Sequence, residues 1–462
     1  MIHCYKLSGY NIVLDAPSGS VHCVDSAAYD AIRIYETAGA DETLGQIGNM
    51  YPDLTHEDAR NLISDIRELE SRGKLFSADS FSAMPGMVRA APLKALCLNV
   101  SHMCNMTCSY CFAGKGAYKG KEKLMPLETG LRAIDFLAES SGSRRNLYVD
   151  FFGGEPLLNF SVVKQIVAYA RKIEQAKGKR FLFTLTTNGL LLDGEVIEFA
   201  NKEMDNVVLS LDGRRDVNDA SRKTPEGDGT YSAVVPKFKE FVEKRGGKNY
   251  YIRGTYTNGN LDFFYDAAHL ADLGFTELSM EPVVAAPDAP YAISSDSLPE
   301  IFGQYELLAD EMLKREKEGR GFRFYHFSLD LTGGPCLYKR LAGCGVGTEY
   351  LAVTPDGELF PCHQLIGNNS FLMGDIFHGI SNTGLQDEFR SCSIDTREEC
   401  RACWARMYCS GGCAANAFNA TGDISGVYEL GCALFKKRIE CAIMMNVARE
   451  LEGRGQGSGV RS

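Results

Sequence analysis

Sixteen cysteines in a chain of 462 residues are the feature that most limits what this sequence can become. They are unevenly spread. Cys104, Cys108 and Cys111 form one knot, and ten more fall between Cys336 and Cys441. Only Cys4, Cys23 and Cys97 stand apart, and these are expected to be small buried core residues. The opening MIHCYKLSGYNIV lacks the basic, apolar and small-residue layout of a secretion signal. A disulfide scaffold is therefore not expected. In a reducing compartment, clustered cysteines bind metal or do redox work, and a cytoplasmic location is the expectation.

The length allows two or three domains with sizeable cores. The formal net charge of −11 argues against nucleic acid as the main partner, because phosphate binding needs a basic surface. No run of 18 apolar residues occurs, so no membrane partner is expected.

Residues 1–90 read as a small unit. HCYKLSGYNIVLDAPSGSVHCVD looks like short strands broken by Ser-Gly and Pro-Ser-Gly turns. SAAYDAIRIYETAG has helical spacing, with Ser26 as the expected cap. In THEDARNLISDIRELESRGKLF, Leu62, Ile63, Ile66 and Leu69 share one helical face and Gly73 suits its end. Strands followed by helices fit a winged-helix-like module, and Pro85 and Gly86 mark a linker. Residues 91–328 alternate differently. ALCLNVS, NLYVDFF, FLFTLTT, NVVLSLD, YYIRGTYT and ELSMEPVV read as strands, with amphipathic helices between them. Six strand–helix repeats predict an α/β fold, a full or partial barrel with chemistry at the C-terminal strand ends. Residues 329–447 turn rich in glycine and cysteine, which suits a small core held by metal. The tail, 448–462, is expected to be disordered.

SHMCNMTCSYCF follows the first barrel strand and holds its cysteines as CxxxCxxC. Three thiolates on one short loop can bind three irons of a four-iron cluster. The fourth iron is then left for an amine and a carboxylate, such as the methionine end of S-adenosyl-L-methionine. A zinc knot is the competing reading. It needs a fourth protein ligand nearby, and His102 is poorly spaced for that. The second strand ends in FFGGEP, where Gly153 and Gly154 let backbone approach a ligand closely. Strand three ends in Thr186, Thr187, Asn188 and Gly189, and strand four in Ser210, Leu211, Asp212 and Gly213. Among these polar strand ends Ser210, with Thr186 or Asn188, suits ribose hydroxyls. Arg222 and Arg253 are candidates to pair with the cofactor's carboxylate, as a guanidinium fork does well.

The CxxxCxxC loop resembles the signature of the radical S-adenosylmethionine superfamily. In that family, reductive cleavage of the cofactor gives a 5′-deoxyadenosyl radical that takes hydrogen from the substrate, while the protein positions and contains it. Gly153, Gly154 and Glu155 match its Gly-Gly-Glu motif, which hydrogen-bonds the cofactor amine. The resemblance implies a partial (β/α)6 radical S-adenosylmethionine barrel. Cys344, Gly357, Cys362, then CRACWARMYCSGGC (Cys400, Cys403, Cys409, Cys413) and Cys432 resemble the SPASM domain of peptide-modifying radical enzymes. By that pattern Cys400, Cys403, Cys409 and Cys432 hold a far auxiliary cluster, and Cys344, Cys362 and Cys413 a nearer one. Three [4Fe-4S] clusters are then implied. Cys336 stands where some relatives place a fourth ligand to the nearer cluster. Without it an iron stays open for a substrate thiol. Cys392 and Cys441 fall outside the signature. His363, directly after Cys362, is a candidate proton acceptor.

The N-terminal unit resembles the recognition element of enzymes that modify ribosomally made peptides, which binds a leader segment as an added strand. The domain order resembles the maturases of "six cysteines in forty-five" peptides. It implies thioether formation in a cysteine-rich precursor peptide with a leader, with an electron donor such as flavodoxin or ferredoxin. The alternatives are sulfatase-maturase-like oxidation of a cysteine or serine on a protein, a quinone-cofactor type of peptide oxidase, and a non-catalytic zinc-ribbon binding protein.

Overall fold

In this computed structural model residues 1–79, 91–329, 331, 340–341 and 343–457 are described. Pro85, Gly86 and Cys336 lie outside them. The chain opens with β1 (Ile2–Leu7), β2 (Tyr10–Asp15) and β3 (Ser20–Val24), an antiparallel sheet in the order β1-β2-β3. Leu7 faces Tyr10 across a two-residue turn in which Ser8 and Gly9 both have positive φ, the type I′ geometry of tight hairpins. Two helices follow, α1 (Ser26–Met50), kinked at Gly39, and α2 (His56–Ser71). The cap of α1 is Asp25, not Ser26, because the Asp25 carboxylate accepts from the Ala28 N–H at 2.8 Å. Thr55 and Asp58 form a reciprocal capping box on α2.

Side-chain alternation along β2 explains how this unit sits on the rest of the molecule. Val13 points to a local core with Tyr29, Ile32, Ile63 and Ile66, while Ile12 and Leu14 point to the main core. Both faces of the small sheet are thus covered. Cys97 is buried as expected, but Cys4 is only half-buried and Cys23 is exposed on β3, the strand at the sheet's edge.

The main sheet carries six parallel strands, β4 (Ala95–Ser101), β5 (Asn146–Gly153), β6 (Arg180–Thr187), β7 (Asn206–Ser210), β8 (Asn249–Tyr256) and β9 (Glu277–Pro282). The intervening helices α3 (Leu127–Ser140), α4 (Phe160–Lys177), α5 (Gly194–Glu203), α6 (Arg215–Ser221), α7 (Tyr231–Lys244) and α8 (Phe263–Asp272) bury their apolar faces on it. Helix α9 (Leu298–Lys317) and the short β10 (Arg323–Phe324), paired to β9, end this part. Beyond β4 the sheet continues through β11 (Tyr350–Val353), parallel to β4, and then the antiparallel β12 (Glu358–Phe360), β13 (Gly374–Asp375) and β14 (Gly379–Ile380). It does not close, and it forms the partial barrel the repeats predict. Flanked on both sides, β4 is buried along its whole length.

The longest helix, Glu429–Gly457, packs on α9 and β1. Of the tail expected to be disordered, 448–462, residues 448–457 continue this helix and 458–462 lie outside the described residues. Among the described residues no helix is long and apolar enough to cross a membrane.

Candidate active site

The C-terminal ends of the parallel strands open onto one cavity of about 1080 Å³. Cys104, Cys108 and Cys111 line it from the loop after β4. This loop is pinned by backbone bonds to two other strand-end segments. The Thr107 and Ser109 N–H groups donate to the carbonyls of Lys223 and Ser221, and the Glu155 N–H donates to that of Met103. Burial pushes the Cys104 thiol up to about 12, helped by Glu155, Cys108 and Cys111. Burial likewise raises Cys108, with Arg222 pulling it back. Such thiols are protonated at neutral pH, so ligation needs a cation strong enough to displace the proton.

Seven of the C-terminal thiols fall into two sets by electrostatic reach. Cys362, pushed up to about 12 mainly by burial, feels Cys413 and Cys344. Cys409, raised to about 12 by burial, feels Cys432, Cys400 and Cys403. Arg397 ties their loops together by donating to the carbonyls of Ser425 (2.9 Å), Ile424 (2.8 Å) and Gly411. Among the described residues no three His, Cys, Asp or Glu side chains converge on a point that could hold a single metal ion.

Gly153 and Gly154 line the cavity and also allow a close approach of two backbone segments. A Cβ on Gly153 would lie 2.2 Å from the Ser101 carbonyl oxygen, and one on Gly154 2.2 Å from that of Met103. Gly153 also has φ +131°. The two glycines let β5 run against the cysteine loop, with the Gly154 N–H donating to Ser101 at 2.7 Å. Glu155, only 1% exposed, braces the neighbouring strand ends. Its Oε1 accepts from the Leu157 N–H (3.0 Å) and the Thr187 hydroxyl (2.8 Å), and its Oε2 from the Asn188 N–H (2.8 Å). Burial pushes its carboxyl up to about 7 against those three donors. Asn188 points its amide at Asn105 Oδ1 (2.8 Å) and Cys104 Sγ (3.8 Å). Thr186 and Ser210 line the cavity between these groups.

Arg222 is buried and already engaged. Its Nε lies 3.0 Å from Asp212 Oδ1, and its guanidinium sits 5.7 Å from the centre of the Tyr110 ring. The Tyr110 hydroxyl donates to the other Asp212 oxygen at 2.5 Å. Arg253, across from Ser210 on β8, is exposed on the cavity wall instead. His363 Nδ1 lies 3.3 Å from the Tyr350 hydroxyl and 3.8 Å from Cys362 Sγ. Its ring packs against Phe152 and Phe112, and burial, with Arg253, pushes it down to about 4. It is therefore neutral and able to accept a proton.

Sequence reasoning missed the Asp212–Arg222–Tyr110 unit, although Asp212 stands two residues past a strand end. It also missed Glu281, at the end of β9, with its partners His326 and Arg438. The contact of β1 with the Cys403–Ala405 turn left no signal at all. There His3 stacks on Trp404 at 3.9 Å and its Nε2 lies 2.9 Å from Glu440.

Known proteins resemble this chain in sequence and in fold. The radical SAM cyclopropyl synthase TigE of Paramaledivibacter caminithermalis is 22% identical over 376 residues, 74% of this chain and 72% of that protein. The structure of anSMEcpe with bound AdoMet superposes with a TM-score of 0.66 at 22% identity, covering 78% of this chain and 96% of that one. Streptococcus suis SuiB bound to S-adenosylmethionine gives 0.52 at 15% identity, covering 92% and 97%. Residues 98–249 match the family model described as the Radical SAM superfamily, which spans β4 to the start of β8 and includes the three-cysteine loop, Gly153–Glu155 and Ser210. This chain therefore carries a radical SAM domain, built on the strands whose ends line the cavity.

Proposed function

We propose that this protein is a radical S-adenosylmethionine maturase that forms thioether links between cysteine sulfur and a carbon in a ribosomally made, cysteine-rich peptide. The observation that carries the reading is the shared cavity: the radical SAM cysteines and Cys400, Cys403, Cys409, Cys413 and Cys432 line one space. Relatives named sulfatase-maturating enzymes, and a solved anSMEcpe with a bound peptide, support a peptide or protein substrate.

Cys104, Cys108 and Cys111 would hold the catalytic cluster. Cys400, Cys403, Cys409 and Cys432 would hold a far auxiliary cluster, and Cys344, Cys362 and Cys413 a nearer one, with Cys336 as the candidate fourth ligand. Bound there, S-adenosylmethionine supplies the hydrogen-abstracting radical and the auxiliary clusters an acceptor for the electron left over. The chain's own residues do the rest. Gly153–Glu155, Thr186, Asn188 and Ser210 orient the cofactor. Phe112 and Phe152 pack their rings against His363 and hold its orientation. His363 takes the proton of the thiol that becomes the thioether. The N-terminal sheet binds the leader, for which β3 has a free edge among the described residues.

Anaerobic iron and sulfide analysis of reconstituted protein tests this. About twelve irons should fall to about eight in a Cys104, Cys108 and Cys111 triple alanine variant, with loss of deoxyadenosine. Mass analysis of a cysteine-rich peptide with its leader should show loss of a pair of hydrogens per link and of alkylatable thiol. Oxidation of a single cysteine or serine without a link would favour the sulfatase-maturase reading. Zinc without sulfide would refute both.

A further inference from the structure

The loop that follows the three cysteines is basic, although the chain as a whole is acidic. Residues 115–123 hold Lys115, Lys119, Lys121 and Lys123 beside Glu122, in a chain whose formal net charge is −11. All four lysines are exposed. Lys123 pairs with Asp356. Lys115, Lys119 and Lys121 have no hydrogen bond or ion pair among the described residues.

The loop is fixed to the site. The Gly114 N–H donates to the Cys111 carbonyl at 3.1 Å. Tyr118 is buried, donates its hydroxyl to the Gly153 carbonyl at 3.3 Å and stacks on His102 at 4.8 Å. Lys115, Tyr118 and Lys119 all hold positive φ, a conformation that residues other than glycine keep only where their surroundings impose it. The lysine positions are thus set by the contacts that seat the cysteine loop.

The same loop separates the cysteines from solvent. Gly116 packs on Cys104 so closely that a Cβ there would lie 3.1 Å from Cys104 Cβ. Phe112, Ala113 and Gly116 line the cavity, whereas the four lysines do not. The backbone therefore has the cysteines on one side and lysine side chains in solvent on the other. A substrate held in the cavity does not meet those side chains, but a partner arriving from solvent does. A cluster bound at Cys104, Cys108 and Cys111 needs one electron before it can cleave the cofactor, and this is a face from which a donor reaches it without entering the cavity.

We propose that the loop from Lys115 to Lys123 is the docking surface for an acidic one-electron carrier protein that reduces the cluster beside Cys104. The carrier is oxidised by one electron, the cluster is reduced by one, and no atom is transferred. Opposite charge steers such an encounter, and interfaces of this redox kind are small and transient. The inference rests on the reading that these three cysteines hold the radical-generating cluster.

Rapid-freeze paramagnetic resonance on the anaerobic, reconstituted protein tests this. The signal followed is the one that the Cys104, Cys108 and Cys111 triple alanine variant lacks. Three reductants are compared: an acidic flavodoxin hydroquinone, an acidic reduced ferredoxin, and photoreduced 5-deazariboflavin, which is small and uncharged. With at least one carrier the wild-type rate should fall about 10-fold or more as salt rises and the Debye length shrinks from about 30 Å to about 3 Å. K115E/K119E/K121E should slow that carrier by about 10- to 1000-fold and weaken its binding in calorimetry, while K115R/K119R/K121R should not. Reduction by 5-deazariboflavin should keep its wild-type rate in both. K172E/K177E/K239E, with the same change of charge on exposed outer-helix residues, should have little effect. If K115E/K119E/K121E also slows 5-deazariboflavin, K115Q/K119Q/K121Q takes its place under the same criteria. A wild-type rate insensitive to salt overturns the inference whatever the variants do. So does a loop variant that spares both carriers, an equal loss in the outer-helix variant, or reduction of wild type by 5-deazariboflavin and by neither carrier. If wild type shows no such signal with any reductant, the reading of the site falls and takes this inference with it.

Discussion

Glu155 offers the sharpest test of how the site is held. Its carboxylate is buried and accepts three hydrogen bonds, two at Oε1 and one at Oε2. In Glu155→Gln the amide oxygen takes the Oε1 position and keeps Leu157 and Thr187 satisfied. The amide nitrogen then faces the Asn188 N–H, donor against donor. One buried donor is left unmade, which costs about 1–3 kcal/mol. In Glu155→Ala all three donors lose their acceptor, for a ceiling of about 3–9 kcal/mol, lowered by any water the cavity admits. Thr187→Ala removes one donor and leaves the carboxylate two, but it also strips the Gly189 N–H of its acceptor, so about 1–3 kcal/mol is expected. In chemical denaturation Glu155→Ala should cost most, and Glu155→Gln and Thr187→Ala, each leaving one buried backbone N–H without an acceptor, clearly less. The two Glu155 variants should also lose iron, because Asn188 carries the displacement to Cys104. The titration has a sign as well. Burial raises the carboxyl from 4.5 to about 7, so the folded state holds more protons between those values and this group's contribution to stability falls as pH rises through that window. The amide of Glu155→Gln cannot titrate, so that variant should flatten this part of the profile. A neutral Glu155→Gln with unchanged pH dependence would refute the brace.

Other consequences are simpler to check. Gly153→Ala places a methyl 2.2 Å from a backbone oxygen at φ +131°, so the variant should fail to retain iron and should melt well below wild type by circular dichroism. Arg222→Ala leaves Asp212 buried with Tyr110 and the Thr255 N–H but no countercharge, a loss of about 3–5 kcal/mol in denaturant titration, and Arg222→Lys should recover part of it. His363→Ala should slow formation of modified peptide by about 10²- to 10⁴-fold while deoxyadenosine is still released, as mass spectrometry and chromatography would show. His3→Ala uncovers Trp404, the only tryptophan of the chain, and should shift its emission and raise its quenching by acrylamide. An unchanged spectrum would mean that β1 does not rest on the Cys403–Ala405 turn.

What could be read from residue order alone was whatever obeys a short period. The six parallel strands announce themselves as apolar runs ending in polar groups, and the three-cysteine loop stands at the end of the first. The helix Glu429–Gly457 escaped for the opposite reason. Cys441 to Met445 are all buried, so no polar stripe separates one face from another and helical periodicity fades. Cys432 drew attention to ligation, while Cys441, outside the signature, is packed in the core. The capping aspartate of α1 was overlooked because Ser26 is also a good cap, and only backbone geometry decides between neighbours.

Roles were harder to read than positions, and Arg222 shows why. A guanidinium near a strand end has the same chemistry whether its partner is a cofactor carboxylate or Asp212, and spacing cannot tell which carboxylate arrives first. Folding decides it by bringing Asp212, itself 1% exposed, to 3.0 Å. An isolated buried carboxylate is far costlier than a paired one, so the internal pair forms whether or not a ligand is present. The same logic turns Glu155 inward, because three donors at the ends of β5 and β6 need an acceptor before any ligand arrives. Glu155 and Asp212 therefore hold strand ends together, while Glu155, Thr186, Asn188 and Ser210 still line the cavity.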